Sequence, residues 1–145
     1  MNGELIYSYT LDFTKVTDYG VSLEDMLAGK APIPAQGARI DVHFEGESTG
    51  KLAGKVTGVD YLRIRADGRF DLNIHATIET PDGQRISLRA DGVATPRPDS
   101  PMVDIKENVE LQTASDDYAW VNNKQIWAPG TVDLANGRVE VKAYA

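Results

Sequence analysis

The sequence holds two imidazoles, His43 and His75, and each has polar neighbours at alternate positions. Asp41 and Glu45 flank the first; Asp71, Asn73 and Glu79 surround the second. An imidazole titrates near neutral pH, so nearby carboxylates and partial desolvation can tune it as a general acid or base. Proton abstraction is assigned first to His75 and second to His43, with Asp60, Asp91 and Glu107 as the next candidate bases. Arg89 and Asp91 share an alternating face with Arg85 and Ser87. On an outer face they are ordinary ladder charges; on an inner face they orient a polar ligand. Glu107, beside Asn108, interrupts the apolar run Val103–Leu111, as an edge device or as a cavity group. Asp60 stands before Tyr61 at a strand start, where it can cap a turn.

A second constellation is aromatic. Tyr118, Trp120 and Trp127 fall close together with Asn122 and Asn123 between them, and both tryptophans of the chain are here. This is either a plug closing one end of the fold or a pocket wall, with aromatic area for an apolar body and amides as hydrogen-bond handles. A developing oxyanion then has Arg89, Tyr61 or the Asn122 amide to steady it. A metal site built from both histidines and a carboxylate is a third alternative. Two ligands on separate strands lack ligand spacing, and no cysteine is present, so no metal and no cofactor are expected. Nucleophile-elbow, phosphate-loop, dinucleotide and H-E-x-x-H patterns are absent.

The elements that must carry these groups are strands. From Arg69 to Thr80, Phe70, Leu72, Ile74, Ala76 and Ile78 alternate with polar residues between Asp67-Gly68 and Pro81-Asp82-Gly83 turn signals. Arg85–Val93 alternates likewise and completes a hairpin. Further strands are expected at Glu4–Thr14, Arg39–Glu47, Lys51–Gly58, Tyr61–Ala66, Val103–Thr113, Gln125–Leu134 and Arg138–Tyr144. Ser22–Gly29 reads as one short helix, with a serine cap, acids in the first turn and a glycine stop. A second short helical turn fits Tyr118–Asn123. An all-β fold follows: a single antiparallel barrel of about 8–10 strands over residues 1–145, because closure removes the edges that so many strands expose. Its interior can hold a small ligand. Whether the polar faces line the cavity or face solvent is left open by alternation.

Composition sets bounds. The 145 residues carry 15 basic and 22 acidic side chains, a net charge of −7. That disfavours binding to phosphate backbones, so no nucleic acid is expected as a partner. No apolar run or leader-like segment stands out, so no membrane partner and a cytoplasmic location are expected. Polar groups turned inward would leave Phe70, Leu72 and Ile74 facing outward, and the expectation is then a homodimer or homotrimer.

Several segments resemble the DUF3237 family of unknown function, also called UPF0311. They are Gly58-Val59-Asp60-Tyr61, Arg65-Ala66-Asp67-Gly68, the Asp82-Gly83 turn and Tyr118-Ala119-Trp120-Val121-Asn122. The resemblance implies a compact antiparallel barrel similar to those of allene oxide cyclase and dirigent proteins. It implies no activity and no catalytic residues. The functional expectation is a cofactor-free isomerase, cyclase or lyase using acid–base chemistry on a small apolar or aromatic molecule. The alternative is a lipocalin-like carrier or sensor of a small hydrophobic ligand. The site is expected in the barrel cavity near Trp120 and Trp127, with His75 as its titrating group.

Overall fold

Alternation along nearly every segment gives each strand one apolar face, and the chain buries those faces by curling into a closed wall. The computed structural model describes residues 3–145. Its strands are β1 (Leu5–Asp18), β2 (Ala38–Gly50), β3 (Gly54–Ile64), β4 (Phe70–Glu79), β5 (Arg85–Pro96), β6 (Met102–Gln112), β7 (Ile126–Asp133) and β8 (Arg138–Tyr144). Each pairs antiparallel with the next, and β8 pairs with β1 to close the barrel. β1 shifts register between Phe13 and Lys15 against β2, which lets so long a strand bend round the wall.

Eight strands replace the nine segments marked by alternation. The expected Lys51–Gly58 and Tyr61–Ala66 strands are one element, β3, paired in unbroken register with β2 from Ala38 to Ser48. Asp60 therefore caps no turn. It lies mid-strand, in phase with Val56, Leu62 and Ile64.

The apolar faces point inward. Phe70, Leu72, Ile74 and Ile78 are all buried, whereas Asn73, His75 and Thr77 between them are exposed. An eight-stranded barrel is only wide enough to be filled by side chains, and apolar ones gain about 1.5–3 kcal/mol each on burial. The polar-interior alternative is thereby corrected. The apolar outer surface that motivated self-association does not form at Phe70, Leu72 and Ile74.

The two ends of the barrel differ. At one end Tyr7, Leu52, Ile78, Ile86, Leu88, Leu111, Val121 and Ile126 pack into a solid core. A 3₁₀ turn, η1 (Asp116–Val121), covers it and inserts Val121, which is fully buried. At the other end the β1–β2 connection carries α1 (Leu23–Leu27). Ser22 caps this helix, its Oγ accepting the Asp25 N–H at 3.1 Å. Leu23 and Leu27, one turn apart, share a face and lean over the open end of the barrel. Among the described residues no helix is long and apolar enough to cross a membrane.

Candidate active site

The open half of the barrel encloses a cavity. Its sides are Leu11, Phe13, Phe44, Phe70, Ile105, Val139 and other apolar residues of the inward faces. The cavity volume is about 70 Å³. Such a small, mostly apolar space suits a small, largely apolar molecule. Three polar residues break the apolar lining: Tyr9 from β1, Asp60 from β3 and Glu107 from β6.

Glu107 shares the inward phase of Val103, Ile105, Val109 and Leu111, and none of its surface reaches solvent. Tyr9 O–H donates to Glu107 Oε1 at 3.5 Å, a long bond. Among the described residues Glu107 Oε2 is buried with no hydrogen-bond partner, as is Tyr7 Oη, whose ring stacks on Tyr9 with centroids 5.5 Å apart. Burial, and then the nearby charge of Asp60, push the Glu107 carboxyl up to about 8. The same desolvation raises the Tyr7 and Tyr9 hydroxyls well above their ordinary range.

Asp60 differs in environment. Its Oδ1 accepts the backbone N–H of Asn73 at 3.0 Å, where the β3–β4 ladder skips two successive residue pairs. Desolvation raises its carboxyl to about 6, held back by that amide and assisted by the charge of Asp41. Two acids in one apolar chamber thus ionise at well-separated pH. Between about 6 and 8 the pair holds one proton, with Asp60 a carboxylate and Glu107 an acid.

Gly92 makes room for this arrangement. It lies opposite Glu107 in the β5–β6 ladder, with φ +148°. A Cβ there would sit 1.9 Å from Lys106 O and 3.0 Å from Glu107 Cα. Gly92→Ala must push β6 away, and urea unfolding is expected to show a loss of about 1–3 kcal/mol or more.

The remaining residues singled out by type lie outside the cavity. His75 is on the exposed face of β4, its Nε2 3.2 Å from Asn73 Oδ1 and its ring edge-on to Tyr61. His43 is half-buried on the outer face of β2. Tyr61 also faces out, under the Arg39 guanidinium at 4.9 Å. Arg89 lies 3.7 Å from Glu110 on the surface, and Asp91 accepts from Asn108 Nδ2 at 3.1 Å. Trp127 alternates outward on β7 between buried Ile126 and Ala128. Trp120 belongs to η1 and packs on the solid end. Tyr118 O–H donates to Asp82 at 3.3 Å. The Asn122 amide exchanges two 2.8 Å bonds with the Thr113 backbone. Neither tryptophan nor either histidine lines the cavity, so the expected convergence of His75 with Trp120 and Trp127 does not occur there. The reason is alternation itself: each of these strand residues sits one position out of phase with the inward face. Asp60 and Glu107 are the two candidate acids that the fold brings together. Tyr9, which lines the same cavity, is set apart in sequence neither from Tyr7 two positions earlier nor by its neighbours Ser8 and Thr10, an ordinary strand alternation.

Solved structures with this architecture are similar along almost the entire chain. A protein of unknown function from Clostridium acetobutylicum ATCC 824 superposes with a TM-score of 0.78 at 22% identity, covering 99% of this chain and 98% of that one. A β-barrel-like protein from Acinetobacter baumannii AYE gives 0.74 at 20% identity, covering 99% and 94%. An enzyme from Penicillium herquei gives 0.64 at 22% identity, covering 99% and 94%. At these identities the likeness is one of fold. No curated protein sequence matches the chain. The sequence profile of the family described as "Protein of unknown function (DUF3237)" matches residues 21–145, and the chain belongs to that family.

Proposed function

We propose that this barrel is a cofactor-free acid–base enzyme that shifts a proton on a small, largely apolar carbonyl compound. The carrying observation is the unequal pair, Asp60 and Glu107, in an otherwise apolar chamber. Asp60 as carboxylate takes a proton from the carbon next to the carbonyl. The C–H electron pair becomes a C=C bond, and the carbonyl π pair moves onto oxygen. Glu107, protonated and with Oε2 unclaimed, donates to that oxygen, and the Tyr9 hydroxyl stands beside it. Asp60 then delivers a proton to the same or another carbon while the enol O–H proton returns to Glu107 and the carbonyl re-forms; return to another carbon is isomerisation, and replacement of the Asp60 proton from solvent before its return is exchange. A cyclase or lyase would use the same two steps with a different acceptor or leaving group.

A carrier of an apolar ligand gains nothing from one fully buried and one half-buried acid in its cavity, whose desolvation is costly. That favours catalysis over the lipocalin-like alternative. The superposable Penicillium herquei protein, itself an enzyme, adds support at the level of fold.

The test is proton exchange at the α-carbon of β-tetralone in D₂O, followed by NMR. Exchange above the protein-free rate is expected. Its pH profile should be bell-shaped, with an acid limb near 6 set by Asp60 and an alkaline limb near 8 set by Glu107. Exchange at the protein-free rate, for β-tetralone and for cyclohexanone alike, overturns the proposal in favour of binding without turnover.

A further inference from the structure

The chamber that holds the acid pair contains no Lys, Arg or His among its lining residues. The nearby arginines are spent on the outer wall. Arg39 pairs with Asp41 at 2.8 Å, Arg65 with Asp67 at 2.7 Å and Arg69 with Asp71 at 2.6 Å. Asp60 therefore carries its charge into an apolar space with one backbone amide for company. A half-buried charge against an apolar wall without a counter-charge is costly, and a ligand that supplies one recovers much of that cost.

The polar atoms left over describe what such a ligand must look like. Glu107 Oε2 has no partner among the described residues, although it is fully buried and its side chain lines the cavity. Of the Asp60 oxygens, Oδ1 takes the Asn73 amide and Oδ2 takes nothing from the described residues. Tyr9 Oη already donates to Glu107 and can still accept. These are acceptors on three sides of one space, and an ammonium group has three N–H donors. The walls above them are aliphatic and aromatic, so the rest of the ligand is apolar. An arriving cation displaces the Glu107 proton to solvent, so that Oε2 accepts a charge-assisted bond, whereas an anion meets only acids. A bare divalent cation is less well served. Among the described residues no three His, Cys, Asp or Glu side chains gather to hold a metal.

We propose that the cavity binds lipophilic primary ammonium ions, with –NH₃⁺ between Asp60, Glu107 and Tyr9 and a ring against Phe44, Phe70 and Leu72. The proposal uses the cavity of the proton-transfer reading but needs no turnover.

The test compares three probes of one shape on the full chain by isothermal titration calorimetry at pH 7: benzylamine, benzyl alcohol and benzoate. Benzylamine should bind about tenfold or more tighter than benzyl alcohol, the ratio expected of one charge-assisted bond, and benzoate should bind more weakly than either. Asp60→Asn/Glu107→Gln keeps the shape and removes the Asp60 charge and the capacity of Glu107 to ionise, so it should bring amine and alcohol to equal affinity. If that double variant does not fold, the single Asp60→Asn variant must still narrow the gap. Benzylamine binding no tighter than benzyl alcohol, or an amine preference that survives the substitutions, overturns the proposal. Loss of the amine preference while β-tetralone exchange persists would sink this inference alone. Loss of exchange with the preference intact would sink only the catalytic reading.

Discussion

Asp60→Asn is expected to reduce α-proton exchange by roughly 10²–10⁴, the usual worth of a positioned general base. The amide keeps the size of the carboxylate and an oxygen for the Asn73 N–H, so the barrel wall is retained. What it loses is basicity. The acid limb of the pH profile should vanish along with the rate. Glu107→Gln keeps a hydrogen-bond donor toward the substrate oxygen but cannot release a proton. It should lower the rate less and remove the alkaline limb. His43→Ala/His75→Ala is the matched control. Both rings lie on the outer wall, so exchange should stay at the wild-type rate. Full activity in Asp60→Asn, with activity lost in the histidine double variant, would return the chemistry to the imidazoles and refute the cavity assignment.

Stability should depend on Glu107 in the opposite sense to an ordinary carboxylate. Its folded-state pKa, about 8, lies above the usual value of 4.5. The folded chain therefore holds a proton that the unfolded chain has released at any pH between those values. Stability contributed by this group is full below about pH 4.5 and is lost as pH rises toward 8, with a total on the order of a few kcal/mol. Asp60, raised to about 6, adds a fall of the same sign between its ordinary range and that value. Urea unfolding across pH 4–9 should show wild type weakening through this window relative to Glu107→Gln. At pH 5 the variant should be slightly the less stable, because its amide has an extra donor to satisfy. At pH 9 it should be the more stable. Parallel curves at every pH would mean that Glu107 is not held neutral by burial.

The barrel is readable from alternation because closure asks only that every strand have one apolar face. The strand Arg69–Thr80 and its hairpin partner show that rule directly, and Ser22–Gly29 stands out because its pattern breaks it. Glu107 is readable in the same way, being in phase with Val103, Ile105, Val109 and Leu111. Asp60 is harder to see. Gly54 and Gly58 mimic turn chemistry, so the segment reads as two short strands, and the common phase of Val56, Asp60 and Leu62 is lost. The histidines draw attention by residue type, yet facing in or out is decided by the neighbours one position away. Tyr9 has no sequence mark at all. Its hydroxyl matters because β1 brings it to a residue 98 positions later. The shifted carboxyls belong to the assembled chamber, since desolvation requires every strand to be in place.

That assembly has an order imposed by connectivity. Seven of the eight strand pairings join neighbours in the chain, and only β1 with β8 joins distant segments, Leu5 opposite Tyr144 among them. A growing meander can form hairpin by hairpin with little loop-closure entropy, but it keeps two bare edges until the last pairing is made. Before that moment another copy's edge competes with the chain's own β8, and concentration decides the contest. Refolding yield is thus a kinetic quantity set by how fast one seam closes.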